Sequence, residues 1–309
     1  MGKTAFLFPG QGSQAVGMGQ ALAREFPEAR AVFAAADEAL GMPLSRLCFE
    51  GPESELVLTR NTQPAILTVS IAAHAVYSAR APQADFVAGH SLGEYSALVA
   101  ARALTLPDAV RAVRERGTFM QEAVPAGTGA MAAVLGLEPQ AVARACAEAA
   151  AGEVVSAANF NSPEQTVIAG SAAAVERASA KLKEAGAKRV IPLSVSAPFH
   201  CGLMEPVKAR LAAVLARCTL STPAIPVVTN VEARPNQDPA RVVPLLLEQV
   251  SAPVRWVETI RFLQGAGVTR TVELGPGRVL SGLVKRIARD VETLNVEDPA
   301  SLGKALEGQ

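Results

Sequence analysis

Apolar positions along the first hundred residues fall into two alternating rhythms. Positions 4–8 form a short run of strand-forming residues that ends in Pro9-Gly10-Gln11-Gly12, which predicts a strand entering a tight loop. Helical spacing then continues to about residue 40, and a second helical pattern covers 64–79. Residues 85–88 read as another strand, again followed by glycine and a helix. Strands alternating with helices predict a parallel sheet covered on both faces.

The rhythm changes in the middle of the chain. Positions 130–137 read as a strand and 139–150 as a helix. Two strands at 154–159 and 165–170 are joined through Asn161-Ser162-Pro163, a turn signal. A helix over 172–185 stops at Gly186, and a strand over 189–195 follows. The order β-α-β-β-α-β is the ferredoxin-like split unit. The expected architecture is therefore α/β: a hydrolase-like domain of residues 1–126 and 198–309, with a ferredoxin-like subdomain inserted at 127–197. Further strands of the main sheet are expected near 226–230 and 269–274.

Composition narrows the function. The 29 basic and 29 acidic residues cancel, which argues against nucleic acid or a membrane surface as the main partner, because both demand a broad basic field. The longest uncharged stretch, between Arg60 and Arg80, contains Asn61, Gln63, Pro64, Ser70 and His74 and reads as a buried helix rather than a membrane span. The opening apolar run is too short for a secretion signal. Cys48, Cys146, Cys201 and Cys218 form no CxxC pair and no metal spacing with the three histidines. They read as buried free thiols of a cytoplasmic protein, and no metal is expected.

Chemistry concentrates at Gly89-His90-Ser91-Leu92-Gly93, a G-x-S-x-G between a strand and a helix. The flanking glycines permit the sharp turn that holds Ser91 at the sheet's carboxyl edge. The Leu92 N–H then faces the charge that develops on an attacked carbonyl. A serine needs a base. His74 sits among apolar neighbours and reads as a core histidine, and His90 leaves the strand on the side opposite Ser91. His200, in a proline-interrupted loop after a strand, is the candidate base. Spacing identifies no third acid: Glu205 and Asp238 merely follow in sequence, and a carbonyl oxygen would serve equally.

Gly10-Gln11-Gly12-Ser13-Gln14-Ala15 matches the dinucleotide fingerprint G-x-G-x-x-A, but the second strand that the fingerprint requires is absent. A loop supplying a second oxyanion N–H, from Gln11, fits better. On the helix expected over 107–123, Arg116 shares the stripe of Ala109, Ala112, Val113, Gly117 and Met120, while Arg111 and Glu115 point away. A guanidinium facing the core needs an anion. Two readings stand: an ion pair with a protein carboxylate, or a bidentate clamp for a substrate carboxylate.

Ordered segments across nearly the whole chain resemble the malonyl-CoA:acyl carrier protein transacylases of type II fatty acid synthesis. They include FPGQGSQ, NTQPA at 61–65, GHSLGEYSALVA at 89–100, NFNSPEQTVIAG at 159–170, PFH at 198–200, QVSAPVRW at 249–256 and ELGPGRVL at 273–280. The resemblance implies that Ser91 carries the acyl ester, that His200 is its base, and that Gln11 and Leu92 form the oxyanion hole. It further implies that the Gln249 carbonyl steadies the base, that Arg116 binds the malonyl carboxylate, and that Gln63 lines the substrate side. In related polyketide enzymes a phenylalanine at the position of Phe199 accompanies malonyl, consistent with exclusion of an α-methyl group. The implied partners are a coenzyme A thioester and acyl carrier protein, acting on a monomer without cofactor. Lys188, Arg189, Lys285 and Arg286 are candidates for guiding an acidic carrier, although solvated surface charge accounts for them equally. Cys201, next to the base, is an expected accidental target of thiol reagents. The rival readings are a serine esterase or thioesterase, and a non-catalytic carrier-docking module.

Overall fold

The computed structural model describes residues 2–125, 127–193 and 197–307. Ten strands among them form two sheets. The larger contains β1 (Lys3–Phe8), β2 (Phe86–Gly89), β7 (Val227–Val228), β8 (Pro235–Asn236), β9 (Val268–Leu274) and β10 (Glu292–Val296), in the order β10-β9-β1-β2-β7-β8. All neighbours are parallel except the final β7–β8 pair. Strand alternation buries both faces: Phe6 and Phe8 enter one core, while Ala5 and Leu7 enter the other.

The smaller sheet contains β3 (Gly129–Leu135), β4 (Val155–Ser162), β5 (Gln165–Ser171) and β6 (Arg189–Pro192), antiparallel in the order β4-β5-β3-β6. Helices Pro139–Ala149 and Ala172–Glu184 cover one face through Val142, Cys146, Val175 and Leu182, packed on Ala132, Val134 and Ile168. The opposite face presents Met131, Ala133, Val167 and Ala169 to Cys201, Phe199 and Leu203. The inner face of this sheet therefore lies against the loop that carries His200.

Several boundaries differ from expectation. The helix expected to start at residue 64 spans Thr59–Ser78, with Pro64 inside it. The proline forfeits one backbone bond in the second turn, offset by burial around almost the whole circumference from Asn61 to Ala73. The strand expected over 189–195 runs only to Pro192, and residues 194–196 lie outside the described ones. The strand expected over 226–230 shrinks to two residues, and the edge strand β10 was not foreseen. No helix among the described residues is long and apolar enough to cross a membrane.

Candidate active site

The carboxyl ends of β1 and β2 lie side by side, with Phe8 opposite Gly89. Beyond Gly89 the chain reverses within three residues into helix Gly93–Ala100. Ser91 accordingly adopts a left-handed φ of 51°, which a non-glycine residue holds only when its surroundings impose it. The glycines make the turn possible. A Cβ on Gly89 would stand 1.9 Å from the Gly93 carbonyl carbon, and one on Gly93 would stand 2.0 Å from the Phe8 oxygen. Gly89→Ala is therefore expected to destroy the turn, lowering the unfolding temperature and reducing acyl-serine formation below detection. Intact mass and thermal unfolding on one preparation would check both.

Asn230, just beyond β7, fixes the elbow from the side. Its Oδ1 accepts from the Ser91 N–H at 2.6 Å, and its Nδ2 donates to the Gly89 carbonyl at 2.6 Å. The Ser91 N–H is occupied, whereas the Leu92 N–H, at the start of the helix, has no acceptor among the described residues. Leu92 and Gln11 both line the same cavity of about 370 Å³. Gly10 brings the β1 loop there, since a Cβ on it would lie 2.5 Å from the His90 oxygen.

His200 Nε2 lies 2.7 Å from Ser91 Oγ, and His200 Nδ1 lies 2.8 Å from the Gln249 main-chain oxygen. A carbonyl only accepts, so Nδ1 carries the proton and Nε2 is free to take one from Ser91. Burial, and next the neighbouring Arg116 charge, push the imidazole pKa down to about 3, so the ring is neutral at physiological pH. Gln249 ends helix Pro239–Gln249, where carbonyls lack intrahelical partners. The two candidate acids lie elsewhere. Glu205 pairs with Lys208 and Ser251, and Asp238 caps the amino end of the Gln249 helix. His90 donates toward Asn161 Oδ1 at 2.9 Å and stands against Trp256, apart from the Ser91 hydroxyl. His74 packs against Phe6 and Phe8 in the core.

Arg116 is 1% exposed, on the buried stripe of helix Leu106–Glu122. Gly117 lets that helix approach closely, because a Cβ there would lie 2.6 Å from the Thr59 oxygen. The guanidinium donates to Gln63 Oε1 at 2.8 Å, to Gln249 Oε1 at 2.9 Å and to Ser91 Oγ at 3.1 Å. All three acceptors are neutral, so the ion-pair reading fails: among the described residues no carboxylate lies within ion-pairing distance of Arg116. Arg116 Nε is also buried without a partner. The cavity thus contains the Ser91 hydroxyl and, 3.1 Å away, a cation that no carboxylate touches, the nearby Glu94 charge reaching it only through the Gln249 amide. Phe199, Met120 and Met131 supply its apolar wall.

Cys201 contradicts its expected reactivity. It is fully buried, donates to the Pro198 carbonyl at 3.1 Å, and burial pushes its thiol up to about 11, so little thiolate is available. Lys188, Arg189, Lys285 and Arg286 are all exposed and converge, with Arg289, on one cleft between β3, β6 and helix Val279–Ile287. Sequence reasoning missed Arg289, Asn230 and Glu94. Arg289 lies just beyond the end of helix Val279–Ile287, where helical spacing from Lys285 no longer applies. Asn230 and Glu94 offered no local signal either.

The model of the family described as "Acyl transferase domain" matches residues 5–306. A malonyl CoA-acyl carrier protein transacylase of Salmonella typhimurium is 49% identical over 307 residues, covering 99% of each chain. The solved acyl carrier protein S-malonyltransferase of Vibrio cholerae superposes with a TM-score of 0.96 at 49% identity, covering 98% of this chain and 99% of that one. A malonyl-transacylase solved in complex with a type II polyketide acyl-carrier protein gives 0.97 at 48% identity, covering 99% and 100%. With Ser91, His200 and Arg116 in one cavity and these likenesses along its whole length, the chain belongs to the acyl transferase domain family.

Proposed function

We propose that the protein transfers a malonyl group from coenzyme A to the phosphopantetheine thiol of an acyl carrier protein, in the cytoplasm. The observation that carries this reading is Arg116, a buried cation with no carboxylate in contact, 3.1 Å from the Ser91 oxygen. A buried charge is costly until paired, and a malonyl thioester brings the missing carboxylate two bonds from the carbonyl under attack.

In the first half-reaction Ser91 Oγ attacks the thioester carbonyl carbon and its proton passes to His200 Nε2, while the Gln249 carbonyl holds the imidazole. The negative charge on the former carbonyl oxygen is met by the N–H groups of Leu92 and Gln11. Collapse of the tetrahedral adduct expels the coenzyme A thiolate, which takes the proton from His200 and leaves as the thiol. The carrier thiol then gives its proton to His200, attacks the serine ester and regenerates Ser91. Both thioesters are of similar energy, so transfer runs in either direction. Arg116, oriented by Gln63, receives the malonyl carboxylate, and Phe199 narrows the space around its α-carbon.

The inserted segment of residues 127–197 serves as one wall of this site through Met131. The basic cleft of Lys188, Arg189, Lys285 and Arg286 guides the acidic carrier, a role supported by the convergence of these exposed cations, with Arg289, on one cleft. The test is intact mass after brief mixing with malonyl-CoA, followed by carrier protein. A malonyl adduct that requires Ser91 and passes to the carrier is expected. Adduct lost as free malonate would make the protein a hydrolase, and no adduct would return it to the docking-module reading.

A further inference from the structure

Glu94 is a carboxylate 2% exposed, in the first turn of the helix that follows the nucleophile. An acid there is ordinarily solvated and favoured by the helix dipole. Here it is enclosed, and its Oε2 accepts from two distant parts of the chain: the Asn230 N–H at 2.9 Å and Gln249 Nε2 at 2.9 Å. Each of those residues holds a working part of the site. Asn230 binds the Ser91 N–H and the Gly89 carbonyl. Gln249 binds His200 through its main chain and Arg116 through its side chain.

The chemistry of the acceptor fixes an orientation. The Gln249 amide faces Glu94 and the Ser91 carbonyl, at 2.9 and 3.0 Å, and both only accept when Glu94 is ionised. Its NH2 end must therefore lie on that side, which leaves Oε1 toward Arg116. A flipped amide would aim two N–H groups at a guanidinium. Resting on the transferase reading above, we propose that Glu94 is a positioning residue. It joins Asn230 to Gln249 and thereby keeps the nucleophile, the base and the carboxylate-binding arginine in register.

Two variants separate this role from simple support of the fold. Glu94→Met keeps the volume but removes the acceptor; Glu94→Gln keeps an oxygen able to accept both bonds. Acylation of Ser91 by malonyl-CoA and by acetyl-CoA is compared for each, with thermal unfolding as control. Loss of a buried hydrogen bond to a charged group is worth roughly 10- to 150-fold. Glu94→Met should therefore lose about 100-fold with malonyl-CoA and about 10-fold with acetyl-CoA, so the malonyl preference falls about tenfold. Glu94→Gln should stay within about threefold on both. Equal losses on both thioesters, or a Gln variant as impaired as the Met one, would overturn the proposal. Should Glu94→Met not fold, the Gln variant alone decides between acceptor and charge. Ser91 labelling by a fluorophosphonate, which needs nucleophile and base but no acyl carboxylate, is read in parallel. A wild type that reacts with the fluorophosphonate but not with malonyl-CoA would sink the transferase reading alone. The labelling rate would then still test Glu94, through an expected tenfold or so drop in the Met variant and near-retention in Gln.

Discussion

Replacing Arg116 with alanine is expected to cut acylation by malonyl-CoA on the order of 10³-fold, while acylation by acetyl-CoA falls less than about tenfold. The asymmetry follows from the site. Arg116 makes three hydrogen bonds to neutral acceptors, and Glu94 reaches it only through the Gln249 amide, so no carboxylate touches the guanidinium until an acyl carboxylate enters. Removing it strands that carboxylate in a buried cavity, at a cost of about 2–5 kcal/mol. Acetyl loses only the bond from the guanidinium to Ser91 Oγ and the order it lends to Gln249. A second consequence concerns the base. The Arg116 charge helps hold the His200 pKa low, so its removal should let that pKa rise. Steady-state rates with the two thioesters decide the matter, and equal losses would mean that Arg116 only supports the structure.

His200→Ala should lower the acylation rate on the order of 10⁴-fold or more, since Ser91 then has no group to take its proton. The pH dependence carries more information than the loss. An ordinary histidine titrates near pH 6.5, and a base of that kind fails as the pH drops through that value. His200 is held at about 3 by burial and by Arg116, so its neutral, proton-accepting form persists far into acid. Glu94, by contrast, is pushed up to about 7 by burial and so titrates near neutrality. With Glu94→Gln, kcat/KM for acylation should therefore remain level from pH 8 to about pH 5. An inflection near 6.5 in that variant would place the base in a far more solvated setting than the structure gives it.

The parts of the site legible in the sequence share one property: their signal is local. The elbow was visible because strand, glycine spacing and helix occur within a dozen residues. Arg116 was visible because helical periodicity alone puts it among Ala112, Val113 and Met120. His200 emerged because only three histidines compete. Asn230 and Glu94 were not legible. Asn230 reads as the last residue of a strand over 226–230, of which only Val227–Val228 forms, while Glu94 reads as an exposed acid of a first helical turn. Their meaning arises from bonds that span 136 and 155 residues. The edge strand β10 escaped for a related reason: Glu292 to Leu294 and Asn295 are only partly buried or exposed, and parallel pairing with β9 makes it a strand. The Cys201 expectation failed because neighbourhood in sequence says nothing of burial, which the inner face of the small sheet imposes.

Gln249 serves two masters with chemically separate parts of itself. Its main-chain oxygen holds the base, and its amide holds Arg116. Mutation rewrites side chains but leaves carbonyls in place, so the two services differ in what heredity can reach. Drift at this codon can alter how the arginine is presented, and with it which acyl chains are welcome, while the carbonyl still holds the base and proton transfer is slowed rather than abolished. A lineage can therefore explore new substrates here without passing through a dead enzyme.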